Sequence, residues 1–526
     1  MKIPTRWLIT SYLLMASASL NAQYAWQKHD SNVDLSPHPL QGLKYEVELQ
    51  ASSAKGKTPL WLNANKYGLS SLEKSNGFLR GQLYRSLDND SARRWGIGYG
   101  LDVVGAFHYQ SKIILQQAYF EGRWLHGVLT VGAKEYPLQL KNAKLSSGSQ
   151  TLGTNARPFP EVRIALPEYW TIPAFGRWLH LKGHIAYGIY TDDNWEASFT
   201  HRLSKYTSDV LFHSKSGYLL IGKPEEHKPF SVELGLEMGA QFGGKSYRPQ
   251  GDGSVRIVKG GHSLKDFWRV FVPSGSDPTD GEYRNEEGNQ VGSWVGRFNW
   301  DTESWSAHFY YDHFFEDISQ MFLLDYDGYG SGDNYMKKEK HRFYLYKLKD
   351  MMLGLELNFH HGRWLRDVVI EHLYTKYQSG PYNHDHTMNI PDHMAGIDDY
   401  YNHSNFTGWQ HWGQVIGNPL YRSPIYNEDG SIRVANNRFS AWHFGLDGCP
   451  TDKLGYRALL TYQDGLGTYQ DPYTDVHHNV SLLVEANYLL PHNWAARVGY
   501  GMDFGHILGS NAGFQITISK KGIINF

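Results

Sequence analysis

The chain alternates apolar with small or polar residues, and the alternation is most regular toward its C-terminal end. Val480, Leu482, Val484, Ala486 and Tyr488 face one way, while Ser481, Leu483, Glu485 and Asn487 face the other. After a turn at Pro491–His492, the residues Trp494, Ala496, Val498, Tyr500, Met502 and Phe504 alternate with Ala495, Arg497, Gly499, Gly501 and Asp503. Successive side chains of a strand point to opposite faces, so this hairpin has one oily face and one face of glycine and charge. The period of two recurs at Trp95–Val103, Leu179–Ile189 and Phe230–Phe242, where Glu233, Glu237 and Gln241 share a face with glycines. Strands this long, joined by turns this short, predict a transmembrane β-barrel with the apolar face toward lipid and the polar face toward the lumen.

The pattern places strands near 43–50, 76–86, 94–107, 112–121, 124–133 and 161–169. Six more fall near 178–190, 208–222, 229–243, 291–300, 305–315 and 341–360, and the last six near 363–376, 437–448, 454–464, 478–490, 493–505 and 512–526. The total is about 18, an even number as in single-chain bacterial barrels. Short connections at 87–93, 122–123, 170–177, 223–228, 301–304, 361–362, 449–453 and 491–492 alternate with longer ones. The long ones include 51–75, 134–160, 244–290, 316–340 and 377–436. Short inner turns and long outer loops are the expected asymmetry of such a barrel; the loops of a soluble periplasmic β-protein need not alternate in length. The fold class is therefore all-β, a transmembrane antiparallel barrel. The last strand is expected to close against the first, with Phe514, Ile516, Ile518, Ile524 and Phe526 on the lipid side.

The opening residues set the compartment. Lys2 and Arg6 precede an apolar run from Trp7 to Ala16, and small residues follow to Ala22. This predicts a secretory signal peptide over 1–22, cut after Ala22 or after Ala18, followed by a short periplasmic segment 23–42 and the barrel as a single domain. Downstream of it no apolar run is long enough for a helical membrane span. Aromatics make up 15% of the chain and there are 54 glycines, the bias expected of aromatic girdles and a glycine-rich lumen. A formal charge of −2 offers nothing to a nucleic-acid partner. Cys449 is the only cysteine, so no intramolecular disulfide can form, and it is expected simply to pack in a turn.

Candidate chemistry concentrates in loop 377–436, which holds Tyr400, Tyr401, His403, Trp409, His411, Trp412, Asn418, Tyr421 and Arg422. Aromatic faces stack on pyranose rings, and amides or arginine satisfy hydroxyls and carboxylates. The alternative is that the same residues pack the loop onto itself or form the outer girdle. His384 and His386, with Asp392 and His393 nearby, lack the fixed geometry of a metal site. The stretch from Asp325 to Asp333 lacks the register and closing Glu of a calcium loop. Neither predicts a metal, and no cofactor is expected. Glu316 and Asp317 are adjacent on a strand and so point apart, which suits them poorly as an acid/base couple. No hydrolase, P-loop or dinucleotide motif is present, so a binding role is expected rather than catalysis.

Several stretches resemble the Wzi capsule-assembly family, in a version like those of Bacteroidetes-type bacteria. They are Pro59-Leu-Trp-Leu-Asn-Ala-Asn-Lys-Tyr-Gly68, Leu152 to Arg163 with Asn155, Arg157, Pro158 and Pro160, and Lys182 to Gly188. Gly288 to Trp294, Tyr310 to Asp317 and Ile416 to Leu420 continue the match in order along most of the chain. The resemblance implies an outer-membrane barrel of 18 strands, a small helical element, an occluded lumen and lectin-like binding of capsular polysaccharide. In the Asn155–Arg163 block, Pro158 and Pro160 favour an extended path into the next strand. Arg157 and Arg163 could pair with Glu161 or with acidic sugars, so Asn155 and Arg157 join the carbohydrate-binding candidates.

The expected function is therefore a monomeric, non-enzymatic protein of a Gram-negative outer membrane that binds capsular or exopolysaccharide and helps attach or organise it at the cell surface. The alternative is a porin or sugar channel, since about 18 strands enclose a lumen wide enough for water. The terminal aromatic, Phe526, resembles the signal read by barrel-insertion machinery, which would be a partner during biogenesis.

Overall fold

The computed structural model describes residues 40–524 apart from 92, 227, 273–287, 317–323, 326–331, 338–341, 344–348, 385–387 and 389–392. The signal peptide, nearly all of the periplasmic segment and Phe526 lie outside the described residues, as do most of the Asp325–Asp333 stretch and the intervening part of the His384–His393 cluster.

One sheet of 18 strands dominates the chain. The strands are β1 (Leu43–Lys55), β2 (Ser75–Arg85), β3 (Trp95–Phe107), β4 (Ile113–Trp124), β5 (Gly127–Ala133) and β6 (Pro160–Thr171). Next come β7 (Leu179–Ile189), β8 (Leu211–Ile221), β9 (Phe230–Phe242), β10 (Asn289–Asp301), β11 (Trp305–Glu316) and β12 (Met351–Phe359). The remainder are β13 (Asp367–Tyr374), β14 (Phe439–Gly448), β15 (Leu454–Gly467), β16 (Pro472–Leu490), β17 (Trp494–Gly505) and β18 (Asn511–Ile524). Each pairs antiparallel with its chain neighbours, and β1 pairs with β18 from Leu43↔Ile524 to Lys55↔Ala512. The sheet is a closed barrel, so it has no free edge.

Every strand expected from the alternation is present. The largest boundary correction is at β12, which starts at Met351 rather than near 341, while Arg342–Phe343 pairs with Leu324–Asp325 in a separate two-stranded sheet. Asp350 explains the start of β12: its carboxylate accepts from the backbone N–H groups of Tyr377 and Gln378, tying the strand end to the next loop. β16 begins six residues earlier than expected and β1 runs five residues further.

Alternation decides the two faces as the sequence predicts. In the closing hairpin, Val484, Val498 and Phe504 are exposed on the outside, while Ser481, Leu483, Glu485 and Asp503 are buried inside. Such an apolar outer face is stable against lipid and not against water. The inward glycines make room: a Cβ at Gly501 would lie 2.9 Å from Leu62 Cγ. Leu62 belongs to α1 (Leu60–Asn63), the first of three short helices among the described residues, with α2 (Trp195–Phe199) and α3 (Leu264–Phe271).

The core lies inside the barrel. Its cluster joins Leu60, Trp61 and Leu62 of α1, Leu145 and Phe159 of loop 134–159, Tyr401, Trp409 and Tyr421 of loop 375–438, and inward wall residues such as Phe212, Tyr310 and Phe314. The long loops therefore fold down into the lumen, and burying their apolar side chains there holds them.

Candidate functional site

Loop 134–159 crosses the lumen because it is rich in small polar residues that can meet a charged wall. Lys141 Nζ lies 2.8 Å from Asp312 Oδ2 of β11. Ser146 Oγ and Ser147 N donate to the two carboxylate oxygens of Glu371 on β13, at 2.5 and 2.8 Å. Ser149 Oγ donates to Glu237 of β9 at 3.0 Å, Gln150 N to Asp312 at 3.0 Å, and Thr151 Oγ1 lies 2.7 Å from Ser293 Oγ of β10. Arg297 of β10, Arg457 of β15 and His443 of β14 reach its carbonyls at Leu140, Lys144 and Leu145. Charge-assisted bonds between buried groups are strong and costly to leave unmade. This segment is a plug, fastened from β9 round to β15.

The carbohydrate-binding candidates of loop 375–438 sit on top of that plug, turned inward. Tyr401 and Tyr421 stack on each other with centroids 4.0 Å apart. The Tyr401 hydroxyl donates to Gln150 O, and Tyr421 donates to Gln150 Oε1 at 3.1 Å. Trp409 Nε1 donates to Thr151 O at 2.9 Å, and its ring fills the space left by Gly239 on β9. Asn418 Nδ2 donates to Ser147 Oγ and Gly148 O, both at 3.1 Å. Tyr400 donates to Asp350 at 3.2 Å, and His411 Nδ1 lies 2.9 Å from Arg157 O. Asn155 Nδ2 donates to Val415 O at 3.0 Å, and Arg422 is spent on the carbonyls of Ile507 and Tyr426. Trp412 carries the Arg157 guanidinium over its ring at 4.1 Å. The stacking faces are thus covered by protein, and of these ten residues Arg157 also lines a cavity.

Glu196 of α2 anchors the same assembly. It accepts from Thr207 N at 2.7 Å, Thr407 Oγ1 at 2.8 Å and Gln410 Nε2 at 2.7 Å, joining loop 190–210 to loop 375–438.

The cavity measures about 110 Å³ and lies between the plug and the inner faces of β6, β7 and β8. Lys134, Arg157 and Arg163 supply positive charge, Glu161 the negative, and Tyr67, Tyr136, Tyr218, Phe159 and His184 complete the wall. The Arg163 guanidinium lies 3.8 Å from the Tyr136 ring centroid and 3.5 Å from Glu161. Lys134 pairs with Glu121 at 2.6 Å. Arg157 is buried, and its Nε and Nη2 have no hydrogen-bond partner among the described residues. Burial pulls its pKa down to about 10, which leaves it protonated at neutral pH. A buried guanidinium with unmet donors is costly, and a planar carboxylate is the group that would meet them in pairs.

The sequence singled out Arg157, and the family resemblance implied an occluded lumen, but neither pointed to Lys134, Tyr136 and His184 or to loop 134–159 as the occluding segment. The signal available was the run Ser146-Ser-Gly-Ser-Gln-Thr151, too small and polar for an outer loop that binds by stacking. No group of three or more metal-ligating side chains occurs among the described residues. Glu316 accepts from Tyr401 N at 2.5 Å, while Asp317 lies outside the described residues. Cys449 packs in a short turn, 3.5 Å from Arg366 Nη1.

No family model matches the sequence, and no curated protein matches it. Among solved structures, Wzi of Escherichia coli, an outer-membrane protein involved in group 1 capsule assembly and a carbohydrate-binding β-barrel, aligns with a TM-score of 0.55 at 14% identity. The alignment covers 92% of this chain and 84% of Wzi. OccK3 (OpdO) of Pseudomonas aeruginosa aligns at 0.41 and 10% identity, over 92% of this chain and 96% of its own. OprD of the same organism aligns at 0.42 and 8% identity, over 92% and 95%. The likeness to Wzi is one of fold, and it makes this chain a barrel of the outer-membrane type.

Proposed function

We propose that this protein is a surface lectin of the outer membrane, holding capsular or exopolysaccharide at its long-loop end without turning it over and without conducting solutes. One observation carries the reading: the plug spans the lumen and leaves beside it a cationic, aromatic-lined cavity with an unsatisfied Arg157. A wall-to-wall plug suits retention and opposes permeation. Aromatic rings beside guanidinium groups suit a sugar that carries a carboxylate. The carbohydrate-binding role of Wzi, a protein of the same fold, supports the same direction.

Two measurements test it together. Purified barrel in a planar bilayer is expected to give no steady current, and immobilised barrel is expected to retain an acidic surface polysaccharide more than a neutral one. A steady open-channel current with no retention would replace this reading with a sugar channel.

A further inference from the structure

One stretch of the outer face of the barrel is not oily. On β8, Phe212 stacks on Phe159 inside the lumen at 4.0 Å, and Tyr218 donates to Glu237 at 2.8 Å. Alternation therefore turns His213 and Lys215 outward, where bare contact with lipid would be destabilising.

The third helix, α3, covers them. Tyr187, outward on β7, donates to Phe267 O at 2.9 Å. The Lys215 ammonium donates to Phe271 O and, at 3.4 Å, to Val270 O, the last-turn carbonyls where a cation suits the helix dipole. The His213 ring lies 4.4 Å from that of Tyr187 and 6.1 Å from that of Phe271. Ala240 and Phe242, outward on β9, are buried in one cluster with Val270 and Phe267. The helix thus runs down the outside of the wall, from the rim at Phe242 to the level of Lys215. Lys215 pairs across the sheet with Ile185, which is 41% exposed on the lipid-facing side. The end of α3 therefore reaches the depth of the oily belt.

The face of α3 turned away from the wall is divided in two. Leu264 is 90% exposed and Trp268 is 63% exposed, one turn apart. Lys265 and Arg269 form a parallel stripe beside them, with Arg269 3.8 Å from Asp266. Asp266 also accepts from Ser263 N at 2.8 Å, closing a capping box at the start of the helix. An apolar stripe beside a basic one suits a lipid surface: tryptophan favours the headgroup level, and long basic side chains reach up to it.

We propose that α3 is an interfacial anchor of the barrel. Leu264 and Trp268 enter the acyl boundary of the outer leaflet, while Lys265 and Arg269 meet the net negative charge of anionic lipid headgroups. Lipid is the occupant because the stripe continues the lipid-facing surface of the barrel at the same depth.

The test uses the full chain carrying Cys449→Ser, with Trp268→Cys labelled by an environment-sensitive fluorophore. The protein is reconstituted in vesicles of phosphatidylethanolamine and phosphatidylglycerol. A label at Leu203→Cys, 80% exposed outside the barrel strands, serves as the aqueous reference. The expected result is blue-shifted emission at position 268, quenched several-fold more by lipid-borne than by aqueous quencher, with the opposite at 203. Equal aqueous quenching at both positions would overturn the proposal. So would disulfide cross-linking of two unlabelled Trp268→Cys copies in vesicles, which would make a second copy the occupant. Lys265→Gln with Arg269→Gln is expected to reduce the lipid quenching in these vesicles but not in phosphatidylcholine; no difference would remove the headgroup contact.

Discussion

Lys141 and Asp312 meet 2.8 Å apart in the middle of the barrel, with their side chains 1% and 0% exposed. One belongs to the plug and the other to the wall, so this pair joins the two parts where water is excluded. The Asp312 carboxylate, with Glu237 and Glu371 near, holds the Lys141 ammonium above its ordinary pKa despite burial. Removing one partner of such a pair costs about 3–5 kcal/mol, because the other charge is left buried alone. Lys141→Met is therefore expected to lower the unfolding temperature on heated gels and to let current flicker through the barrel. Lys141→Met with Asp312→Leu is expected to recover much of the loss. A double variant no better than the single would show that the charges do not act as a pair.

Gly239 is matched to Trp409, whose indole occupies the space of the missing side chain. Overfilling a packed site costs about 1–3 kcal/mol. Gly239→Val is expected to displace Trp409 and make loop 375–438 several-fold more sensitive to protease, with the barrel intact. Protease resistance equal to the parent would place Trp409 elsewhere.

His403 and His411 are held neutral by burial, both pushed down to about 4. The ring nitrogen of His403 accepts the backbone N–H of Asn405 at 3.0 Å, whereas those of His411 lie 2.9 Å from Arg157 O and 2.8 Å from Thr191 O, so it is burial that holds that ring neutral. Between the folded value and 6.5 the unfolded loop binds more protons, so its packing weakens as pH falls through that window. The loss is on the order of 3 kcal/mol per histidine when complete. Hydrogen exchange of loop 375–438 is expected to quicken from about pH 6.5 down to about 4, and His411→Gln is expected to remove part of that dependence. A flat profile would contradict neutral burial.

Arg157 carries the ligand prediction. Arg157→Gln is expected to weaken retention of acidic polysaccharide by roughly 10- to 100-fold, the equivalent of one charge-assisted hydrogen bond, while neutral polymer is unaffected. Arg157→Lys is expected to restore only part, since an ammonium lacks the paired donors. Equal loss for acidic and neutral polymer would mean that the substitution merely unseats Trp412.

The closing hairpin shows what was legible beforehand. Side-chain alternation is a property of the strand itself, so Val480 to Phe504 declared their faces with no knowledge of their neighbours. Closure followed, because a membrane barrel leaves no strand edge unpaired. The same local logic placed Ala240 and Phe242 on the outer face correctly, but it sent them to lipid, and α3 covers them instead.

By itself, then, the sequence determined the barrel: its strand number, the sense of each face and the alternation of short and long connections. Only the tertiary structure decided what the long loops do. An aromatic ring has the same chemistry whether it meets a sugar or another ring, and Tyr421 meets Tyr401 and Gln150 through contacts between distant parts of the chain. The glycines at 499 and 501 likewise read as lumen lining until α1 arrives to fill the space they leave. Which partner a side chain finds depends on where separate segments converge, and no local pattern encodes that.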